Sequence, residues 1–318
     1  MALRATLLGA TGFTGAELLR YLGRHPALAL AAAGVRGEGA AERLPHLSTD
    51  ELPLVSVEEA AATESDVCFS CLPSGLLKAH LERVAAPLII DLADDFRASE
   101  DWVYGITEFA RRSVSTASRI ANPGCYPSAT LLCLIPFVAQ SWIEGPLIVD
   151  AMSGLSGAGR KPEDRLLHAV AHDNVGAYGT TTHRHVGEIE NGLTRYGAAS
   201  MTLSFTPHLV PLARGLLVTA RGRLTRQVDD QAVGQLLRDT YADEPFVRVV
   251  SEWPQTKAVM GSNHALVSAR VDDRTGFLIA SCAIDNLGKG AAGQALQNAN
   301  LALGLEETAG LDGGGLWP

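Results

Sequence analysis

The sequence predicts an α/β protein: a Rossmann-type doubly wound parallel sheet, followed by an α+β domain with a mostly antiparallel sheet. In the first part of the chain, short unbroken apolar runs alternate with helical patterns, which is typical of a parallel sheet covered by helices. In the second part, several strand-like segments alternate apolar and polar residues, which is typical of a sheet with one face on the core. The 318 residues are enough for two domains with large cores.

Five predicted strands make up the parallel sheet: residues 4–9, 28–35, 66–72, 87–92 and 119–122. Helices are predicted between them at 14–24 and 75–85, where apolar residues recur with helical spacing. The segment 285–305 begins with glycines and ends as a helix, and we expect it to return to this domain. The first domain is therefore predicted at 1–124, completed by 286–318.

The second domain is predicted at 125–285. Its strand-like segments are 146–153, 200–208, 215–224, 264–271 and 277–284, and its predicted helices lie near 127–141, 186–196 and 229–242. The residues "DDRTG" (272–276) are typical of a turn, so we expect the last two strands to form an antiparallel hairpin. This order of elements favours helices on one face of an antiparallel sheet.

A glycine-rich loop, "GATGFTG", follows the first predicted strand and opens the first predicted helix. Gly9, Gly12 and Gly15 have the spacing G-x-x-G-x-x-G. Glycines at this place allow a tight turn, close approach of the backbone to a pyrophosphate, and a helix N-terminus that points at its charge. The loop therefore predicts a dinucleotide site, with further contacts from Thr11, Phe13 and Thr14.

The residues after the second predicted strand indicate which cofactor binds. NAD-specific proteins tend to place Asp or Glu about 20 residues beyond the glycine loop, where it binds the ribose hydroxyls. Here the first charged side chain is Arg36, in "AAGVRGEG", and a guanidinium suits the 2′-phosphate of NADP. Glu38 follows closely, and a solvated Arg36 is the alternative. The sequence therefore favours NADP.

The composition argues against several classes of partner. The formal net charge is −9, whereas a nucleic-acid surface needs clustered Lys and Arg. No run approaches the ~18 apolar residues of a membrane span, and the first residues lack an apolar stretch of the signal-peptide type. The five cysteines are odd in number and mostly in apolar contexts, which favours the reducing cytoplasm. Cys68 and Cys71 form a C-x-x-C inside a predicted strand, so we expect them to be structural, and we predict no metal site.

Cys125 lies in "ANPGCYPSATLL", where Pro123 and Gly124 predict a turn and Pro127 suits the first turn of a helix. The N–H groups and the dipole at a helix N-terminus favour a thiolate. The same N–H groups can stabilise an oxyanion on an acyl group under attack. Cys125 is therefore the candidate nucleophile, whereas Cys133, inside the apolar part of the helix, is expected in the core.

The segment "THRHVGEIENGL" (182–193) contains the best candidate for an acid/base partner. Glu188 follows His185 by three residues, so the carboxylate shares a face with the imidazole if a helix begins there. His185 can then take the thiol proton or protonate an oxyanion, with Glu188 orienting the ring. The alternatives are His183, His208, His168 and His172.

Three arginines in loops are candidates for binding an anionic substrate. Arg97 closes "IIDLADDFR", at the carboxyl end of a predicted strand, where α/β sheets bind ligands. Arg160 ends "SGLSGAGR", and Arg214 lies in "HLVPLARG". Guanidinium groups bind phosphate and carboxylate through paired hydrogen bonds. Each arginine is thus expected either at the substrate or in a surface ion pair.

Taken together, these segments resemble the N-acetyl-gamma-glutamyl-phosphate reductase family, the arginine-biosynthesis branch of the aspartate-semialdehyde dehydrogenase superfamily. The resemblance runs nearly the length of the chain, through "GATGFTGAELLR", "DLADDFR", "ANPGCYPSATL", "DAMSGLSGAGR", "HRHVGEIE", "FTPHLVPLARG", "GSN" and "DNLGKGAAGQALQNAN". It implies NADPH-dependent reductive dephosphorylation of an acyl phosphate to an aldehyde, with release of inorganic phosphate. It also implies a homodimer or homotetramer.

The resemblance implies roles for individual residues. Cys125 matches the nucleophile that forms a thioester, His185 matches the acid/base histidine, and Arg97 would face the substrate phosphate. Further substrate contacts are implied for Asn122 and His183. Cofactor contacts in the second domain are implied for Ser156, Gly157 and Asn286.

Some positions depart from the family pattern. Ala93 and Asp94 stand where the family usually has Ser-Ala, Val35 where a serine often precedes the arginine, and Gly187 where a proline usually follows the histidines. None of these positions is the nucleophile.

Three alternatives are weighed against this branch. The run "NPGCYP" points away from the lysine-biosynthesis branch, which acts on a carrier-protein-linked aminoadipyl phosphate. Aspartate-semialdehyde dehydrogenase usually has Asn before its cysteine, where this chain has Gly124. A non-catalytic NADP-binding regulator is expected to have replaced Cys125 or His185, and both are present.

Overall fold

The computed structural model describes residues 2–37, 39–48, 52–198, 200–311 and 313–316. The chain divides into two compact units. The first contains Met1–Gly124 and Ala291–Gly313, and the second contains Cys125–Gly290 and Gly314–Pro318.

The first unit has a seven-stranded sheet in which every neighbouring pair is parallel. Its strands are β1 (Leu3–Leu8), β2 (Leu28–Val35), β3 (Leu54–Ser56), β4 (Val67–Ser70), β5 (Leu88–Asp91), β6 (Val103–Tyr104) and β7 (Arg119–Ala121). Their spatial order is β3-β2-β1-β4-β5-β7-β6. Its helices are α1 (Phe13–Leu22), α2 (Val57–Ala62), α3 (Thr107–Val114) and, late in the chain, α8 (Gly293–Ala302).

Strands β1, β4 and β5 form the buried centre of this sheet. Leu7 and Leu8 of β1, Phe69 of β4 and Ile90 of β5 have no exposed surface. Successive side chains of a strand point to opposite faces, so their complete burial requires cover on both faces. The Rossmann-type fold predicted from the unbroken apolar runs is confirmed. The strand order reverses between β1 and β4, and α/β sheets bind ligands outside the carboxyl ends of the strands at such a point.

The helix predicted at 75–85 is wrong. The chain instead forms two short 3₁₀ turns, Leu77–Ala79 and Leu81–Arg83. Gly75 has φ +86°, a left-handed conformation that a right-handed helix does not contain. Of the residues in the two turns, only Leu77 is fully buried. Because short helices are stabilised mainly by an apolar face that packs on the protein, one buried side chain does not sustain a helix here.

Helix α8 is buried although many of its residues are polar. Asn298 donates from Nδ2 to the Gly105 carbonyl at 2.8 Å and to Asn122 Oδ1 at 3.2 Å, and it accepts from the Thr107 hydroxyl at 2.8 Å. Gly105 must lack a side chain, because an added Cβ would lie 2.4 Å from Asn298 Nδ2. Buried amides are tolerated when they are hydrogen-bonded, and these contacts allow α8 to lie in the core.

The second unit has a seven-stranded sheet in the order β12-β13-β14-β11-β8-β10-β9. Its strands are β8 (Ile143–Gly154), β9 (Gly176–Ala177), β10 (Leu203–Val210), β11 (Leu216–Leu224), β12 (Val247–Val249), β13 (Ala265–Asp272) and β14 (Phe277–Ile284). The pairs β8–β10 and β12–β13 are parallel, and the other neighbours are antiparallel. Strands β13 and β14 form the hairpin predicted around 272–276, with Gly276 at φ +72°. The α+β prediction is confirmed.

The helices of the second unit are α4 (Cys125–Ala139), α5 (His168–Ala171), α6 (His185–Gly197) and α7 (Asp230–Thr240). Helix α4 is apolar on all sides, and every residue from Tyr126 to Val138 is buried, as expected for an enclosed helix. It packs on α6, α7 and four strands of the sheet. Gly192 of α6 allows the close approach, because an added Cβ would lie 2.6 Å from a methyl group of Leu131. Across the part of the chain that is described, no helix has the length and apolar character to cross a membrane.

Candidate active site

The glycine loop between β1 and α1 is constrained by the protein's own atoms at two of its three glycines. Gly9 has φ +85°, and an added Cβ would lie 2.8 Å from the Cys71 carbonyl oxygen. At Gly15 an added Cβ would lie 2.4 Å from the Gly9 carbonyl oxygen. The turn therefore requires Gly9, and the packing of α1 on the loop requires Gly15.

Gly12 differs, because the surrounding protein atoms do not require a glycine there. An added Cβ would make only an ordinary contact, 3.6 Å from the Gly9 carbonyl oxygen, and φ is −69°. Gly12 is the N-cap of α1 and has no side chain with which to cap the helix. The helix dipole and the first N–H groups therefore suit an anion, and the missing Cβ leaves room for it beside the backbone. These residues fit the pyrophosphate of a dinucleotide; half-buried around them are Thr11, Phe13 and Thr14.

Arg36 follows the end of β2 and is exposed. The N–H groups of Gly9 and Ala10 both donate to the Gly34 carbonyl at 3.0 Å. These bonds fix the glycine loop beside the end of β2, two residues before Arg36. Glu38, the other charged residue of this segment, lies outside the described residues. The contact of Arg36 with a 2′-phosphate stays a prediction.

Arg97 and Asn122 are brought together in the first unit. Arg97 donates from Nε to the Asn122 carbonyl and from Nη2 to the Leu92 carbonyl, both at 3.0 Å. The guanidinium therefore joins the end of β5 to the segment after β7. It carries five N–H donors, so this structural contact is compatible with the predicted contact to a substrate phosphate.

Asn122 is fully buried. Its Nδ2 donates to the Ala291 carbonyl at 3.2 Å, and its Oδ1 accepts from Asn298. The side chain thus anchors the chain three residues before Cys125. Its predicted contact with substrate stays a prediction.

Helix α4 begins at Cys125, so the candidate nucleophile occupies a helix N-terminus. The cysteine is reduced and half-buried. Gly290 lies directly against it, because an added Cβ at Gly290 would be 2.8 Å from Cys125 Cβ. Cys133 is buried in the same helix, as expected, and burial raises its pKa to about 12.

Tyr126 connects the cysteine helix to the histidines at the start of α6. Its ring packs edge-on against His183 and His185, with centroid distances of 5.7 and 5.9 Å. Its hydroxyl donates to the His208 carbonyl at 3.3 Å and accepts from the Tyr178 hydroxyl at 3.1 Å. Burial, reinforced by Tyr178, raises the pKa of Tyr126, so the phenol keeps its proton at neutral pH. Sequence reasoning missed both tyrosines; the only signal was that Tyr126 follows the candidate nucleophile.

His185 is buried and is the first residue of α6, so the helix start required by the His–Glu pair is present. His185 Nε2 lies 4.0 Å from Glu188 Oε2. His183 accepts the His185 N–H at its Nδ1, at 3.2 Å. Burial, with Arg184 beside it, lowers the pKa of His183, which keeps that imidazole neutral at pH 7. Glu188 thus places a carboxylate beside His185, as expected for the predicted acid/base pair; the role of His185 stays a prediction.

The other histidines are placed differently. His168, the first residue of α5, and His172, which follows its last residue, are exposed, with their rings stacked at 4.8 Å. His208 lies on β10, with Nδ1 at 3.3 Å from the Ala151 carbonyl. Tyr126 packs on the rings of His183 and His185, whereas it meets His208 through the backbone carbonyl.

Ser156, Gly157 and Asn286, all predicted to contact the cofactor, lie together in the second unit. Asn286 donates from Nδ2 to Ser156 Oγ at 2.9 Å and accepts the Gly215 N–H at 2.8 Å. At Gly157 an added Cβ would lie 2.7 Å from Ser153 Oγ, so a larger residue there would require the Ser153 hydroxyl to move. Their contact with a cofactor stays a prediction.

Arg214 and Arg160 have contrasting surroundings. Arg214 donates from Nε to the carboxylate of Asp285, at 3.0 and 3.3 Å, and Asp285 has no exposed surface. Arg160 is exposed in the loop after β8, next to Gly159 at φ +81°. Sequence reasoning missed Asp285, although an acidic residue directly after a buried strand was a signal for it.

Cys68 lies in β4 and Cys71 directly after it. Burial raises the pKa of Cys68 to about 12 and also raises that of Cys71, and the carboxylate of Asp91 adds to both shifts. Both thiols are therefore protonated at neutral pH. Among the residues that the structure describes, no group of three or more His, Cys, Asp or Glu is placed to hold a metal ion.

Comparison with known proteins identifies the family. The family model described as "Semialdehyde dehydrogenase, NAD binding domain" matches residues 4–117, and "Semialdehyde dehydrogenase, dimerisation domain" matches 125–286. The chain is 41% identical to N-acetyl-gamma-glutamyl-phosphate reductase from Bradyrhizobium sp. (strain BTAi1), over 100% of both chains. The chain belongs to the N-acetyl-gamma-glutamyl-phosphate reductase family.

A second curated relative supports the family, and a solved structure shows the fold. The family member from Brevibacillus brevis is 39% identical, over 97% of each chain. Aspartate semialdehyde dehydrogenase II from Vibrio cholerae has the same fold, with a TM-score of 0.74 and 20% identity over 95% of this chain and 99% of that one. The resemblance drawn from the sequence motifs is confirmed. As a member of the N-acetyl-gamma-glutamyl-phosphate reductase family, the chain is an oxidoreductase with a nicotinamide-binding, Rossmann-type first unit.

Proposed function

We propose that the protein reduces N-acetyl-gamma-glutamyl phosphate to N-acetylglutamate semialdehyde with NADPH, releasing inorganic phosphate, in arginine biosynthesis. The observation that carries the proposal is the reduced Cys125 as the first residue of α4, in a chain whose full-length relatives bear the name of this reaction. The electrophilic acyl phosphate requires a nucleophile with donors nearby for the oxyanion, and a cysteine at a helix N-terminus supplies both.

In the first proposed step, His185 accepts the thiol proton and the Cys125 sulfur attacks the acyl carbon. A C–S bond forms, the C–O bond to phosphate breaks, and phosphate leaves with the electron pair. The N–H groups at the start of α4 stabilise the oxyanion of the tetrahedral intermediate. Glu188 orients His185 and stabilises its charged form. Arg97 binds the phosphate that leaves.

When bound, NADPH supplies the hydride that converts the thioester to the aldehyde. In this proposal Gly12 and the N-terminus of α1 bind the pyrophosphate, and Arg36 binds the 2′-phosphate. The cluster of Ser156, Gly157 and Asn286 holds the nicotinamide end. The C–S bond then breaks, the aldehyde leaves, and His185 returns its proton to the thiolate.

The remaining sequence-based predictions are part of the same proposal. The first unit is the NADP-binding domain, and the second is the catalytic and oligomerisation domain of a homodimer or homotetramer. The substrate is a small acyl phosphate, bound also by Asn122, His183 and the guanidinium groups of Arg160 and Arg214. The proposed location is the cytoplasm, supported by an odd number of cysteines in mostly apolar contexts.

The reverse reaction tests the proposal: phosphate-dependent reduction of NADP with N-acetylglutamate semialdehyde. Cys125→Ser is expected to lose at least about a thousandfold in kcat, as expected when the nucleophile is removed. Cys133→Ser is the matched control, because Cys133 lies in the same helix but is buried in its core. It is expected to keep kcat within about threefold, with a lower melting temperature. Activity retained by Cys125→Ser would disprove the thioester step.

Substrate specificity is tested with the same enzyme. Aspartate semialdehyde and a carrier-protein-linked aminoadipate semialdehyde are assayed in parallel, and NAD is compared with NADP. Preference for either other aldehyde would refute the assignment to arginine biosynthesis. Equal kcat/KM with NAD and NADP would refute the role of Arg36.

A further inference from the structure

Asp285 is a fully buried carboxylate that follows the end of β14 and gathers donors from three segments of the second unit. Its Oδ1 accepts the N–H groups of Leu287 at 2.8 Å and Gly288 at 3.1 Å. Its Oδ2 accepts from Arg214 Nε at 3.0 Å and from the N–H of Gly261. A buried carboxylate is stable only with such a set of donors, and charge-assisted hydrogen bonds hold it in one position.

The same residue also fixes Gly290 through the main chain. The Gly290 N–H donates to the Asp285 carbonyl at 2.9 Å, which closes the loop 285–290 on itself. At the far end of this loop, an ideal Cβ on Gly290 would lie 2.8 Å from Cys125 Cβ and 3.3 Å from Cys125 Cα. The loop therefore touches the carbon that carries the thiol. Because protein interiors are close-packed, a shift of the loop displaces Cys125 or leaves a void beside it.

We infer that Asp285 is a positioning residue for the nucleophile: its carboxylate fixes the loop 285–290, and the loop fixes the Cys125 side chain at the start of α4. This inference rests on the proposed function of Cys125. Arg214 acts in the same assembly as the ion-pair partner that locks the carboxylate from the β10–β11 loop. The carboxylate contacts no reacting atom in this proposal; it acts through Gly290.

The effect of losing this support is large because acyl transfer depends on alignment. A misplacement of about 1 Å costs on the order of a hundredfold in rate. Asp285→Asn is the sharpest perturbation. It keeps the size of the side chain and one carbonyl oxygen, but it replaces the other oxygen with an NH₂ group, which donates hydrogen bonds. That NH₂ group would face other donors, which are either Arg214 Nε and the Gly261 N–H or the N–H groups of Leu287 and Gly288. One part of the assembly must therefore move.

The test measures two properties of Asp285→Asn in the full chain. The kcat of phosphate-dependent NADP reduction is expected to fall about tenfold to a hundredfold. The rate of Cys125 alkylation by iodoacetamide, followed across pH, is expected to change by at least about threefold at its high-pH plateau, because access to the thiol changes. Cys125→Ser gives the background from the other cysteines. Asp150→Asn is the matched control, because Asp150 pairs with Arg221 at 2.7 Å in the same unit but is half-exposed.

The outcomes separate positioning from plain structural support. Asp150→Asn is expected to match wild type in both assays. If Asp285→Asn melts earlier but, well below its melting temperature, equals wild type in kcat and in alkylation, the inference is overturned. If Asp285→Asn does not fold, Arg214→Lys replaces it, since the lysine keeps the charge but lacks the Nε–H. A raised KM with unchanged kcat and alkylation in that variant also overturns the inference. If the wild-type enzyme fails to use any of the aldehydes, the proposed function fails, while the alkylation profiles still test the positioning.

Discussion

Replacing Gly12 with alanine separates what the glycine loop does for the fold from what it does for a cofactor. The added methyl group would lie 3.6 Å from the Gly9 carbonyl oxygen, and φ at Gly12 is −69°. Alanine adopts this conformation without strain. At an N-cap, alanine is less favourable than glycine by about 0.5–1 kcal/mol. The smaller entropy of the unfolded chain returns about 0.4–1 kcal/mol. The free energy of unfolding should therefore change by less than about 1 kcal/mol.

Cofactor binding should respond far more strongly. The methyl group occupies the space beside the first N–H groups of α1, where the pyrophosphate is proposed to lie. Loss of one hydrogen bond to a charged group costs about 1.5–3 kcal/mol. At about 1.4 kcal/mol per tenfold, NADPH should bind roughly 10- to 150-fold more weakly.

Titration of NADPH fluorescence measures the binding, and thermal unfolding without cofactor measures the stability. Gly15→Ala is the control with the opposite pattern, because its Cβ would lie 2.4 Å from the Gly9 carbonyl oxygen. That variant should lose about 1–3 kcal/mol of stability through overpacking. If Gly12→Ala binds NADPH within about twofold of wild type, the reasoning from the missing Cβ is refuted.

Three other changes have calculable outcomes. Burial, with Arg248 adding to it, lowers the pKa of His264 from 6.5 to about 4, so the unfolded chain binds the proton first. The contribution of His264 to the free energy of unfolding should be complete above pH 6.5 and should fall by on the order of 3 kcal/mol as the pH drops to about 4. In urea unfolding, His264→Gln should lose less stability at acid pH than wild type, and an equal loss would contradict this. Gly290→Ala should lower kcat by at least about tenfold, because its methyl group would lie 2.8 Å from Cys125 Cβ. Steady-state kinetics measure this effect, and far-UV circular dichroism checks that the fold is unchanged. An unchanged kcat would argue against the close contact. Asn298→Ala should cost about 3 kcal/mol in urea unfolding, because it leaves buried partners without their hydrogen bonds; a loss below about 1 kcal/mol would show that water replaces the amide.

The central strands of the first unit were predictable because burial on both faces leaves a local mark, an unbroken apolar run. The hairpin of β13 and β14 was predictable for a similar reason, since "DDRTG" marks its turn. The helix predicted near 186–196 is α6, which begins at His185, so His185 and Glu188 lie one turn apart in the same helix.

The parts that could not be predicted depend on distant partners or on very short segments. Strands β3, β6, β9 and β12 have two or three residues each, too few to show any period. Helices α2 and α3 are short and were also missed. The charge of Arg214 was visible in the sequence, but its partner Asp285 is 71 residues away. Asn298 donates to the Gly105 carbonyl, which is 193 residues away in the sequence. No local sequence pattern predicts that a helix with so many polar residues will be buried. For the candidate site, sequence reasoning thus proposed residues for the chemistry but did not predict partners such as Tyr126, Tyr178 and Asp285.

The burial of α4 on all sides has a consequence for how the enzyme would lose activity. A helix with no solvent-facing side cannot open locally without exposing its whole apolar surface, so its amides beyond the first turn should exchange with deuterium only through global unfolding. Cys125 is therefore attached to the slowest-exchanging element of its unit. In increasing urea, the reactivity of its thiol should persist until the unit as a whole unfolds, with no intermediate range in which the fold remains but the nucleophile is disordered.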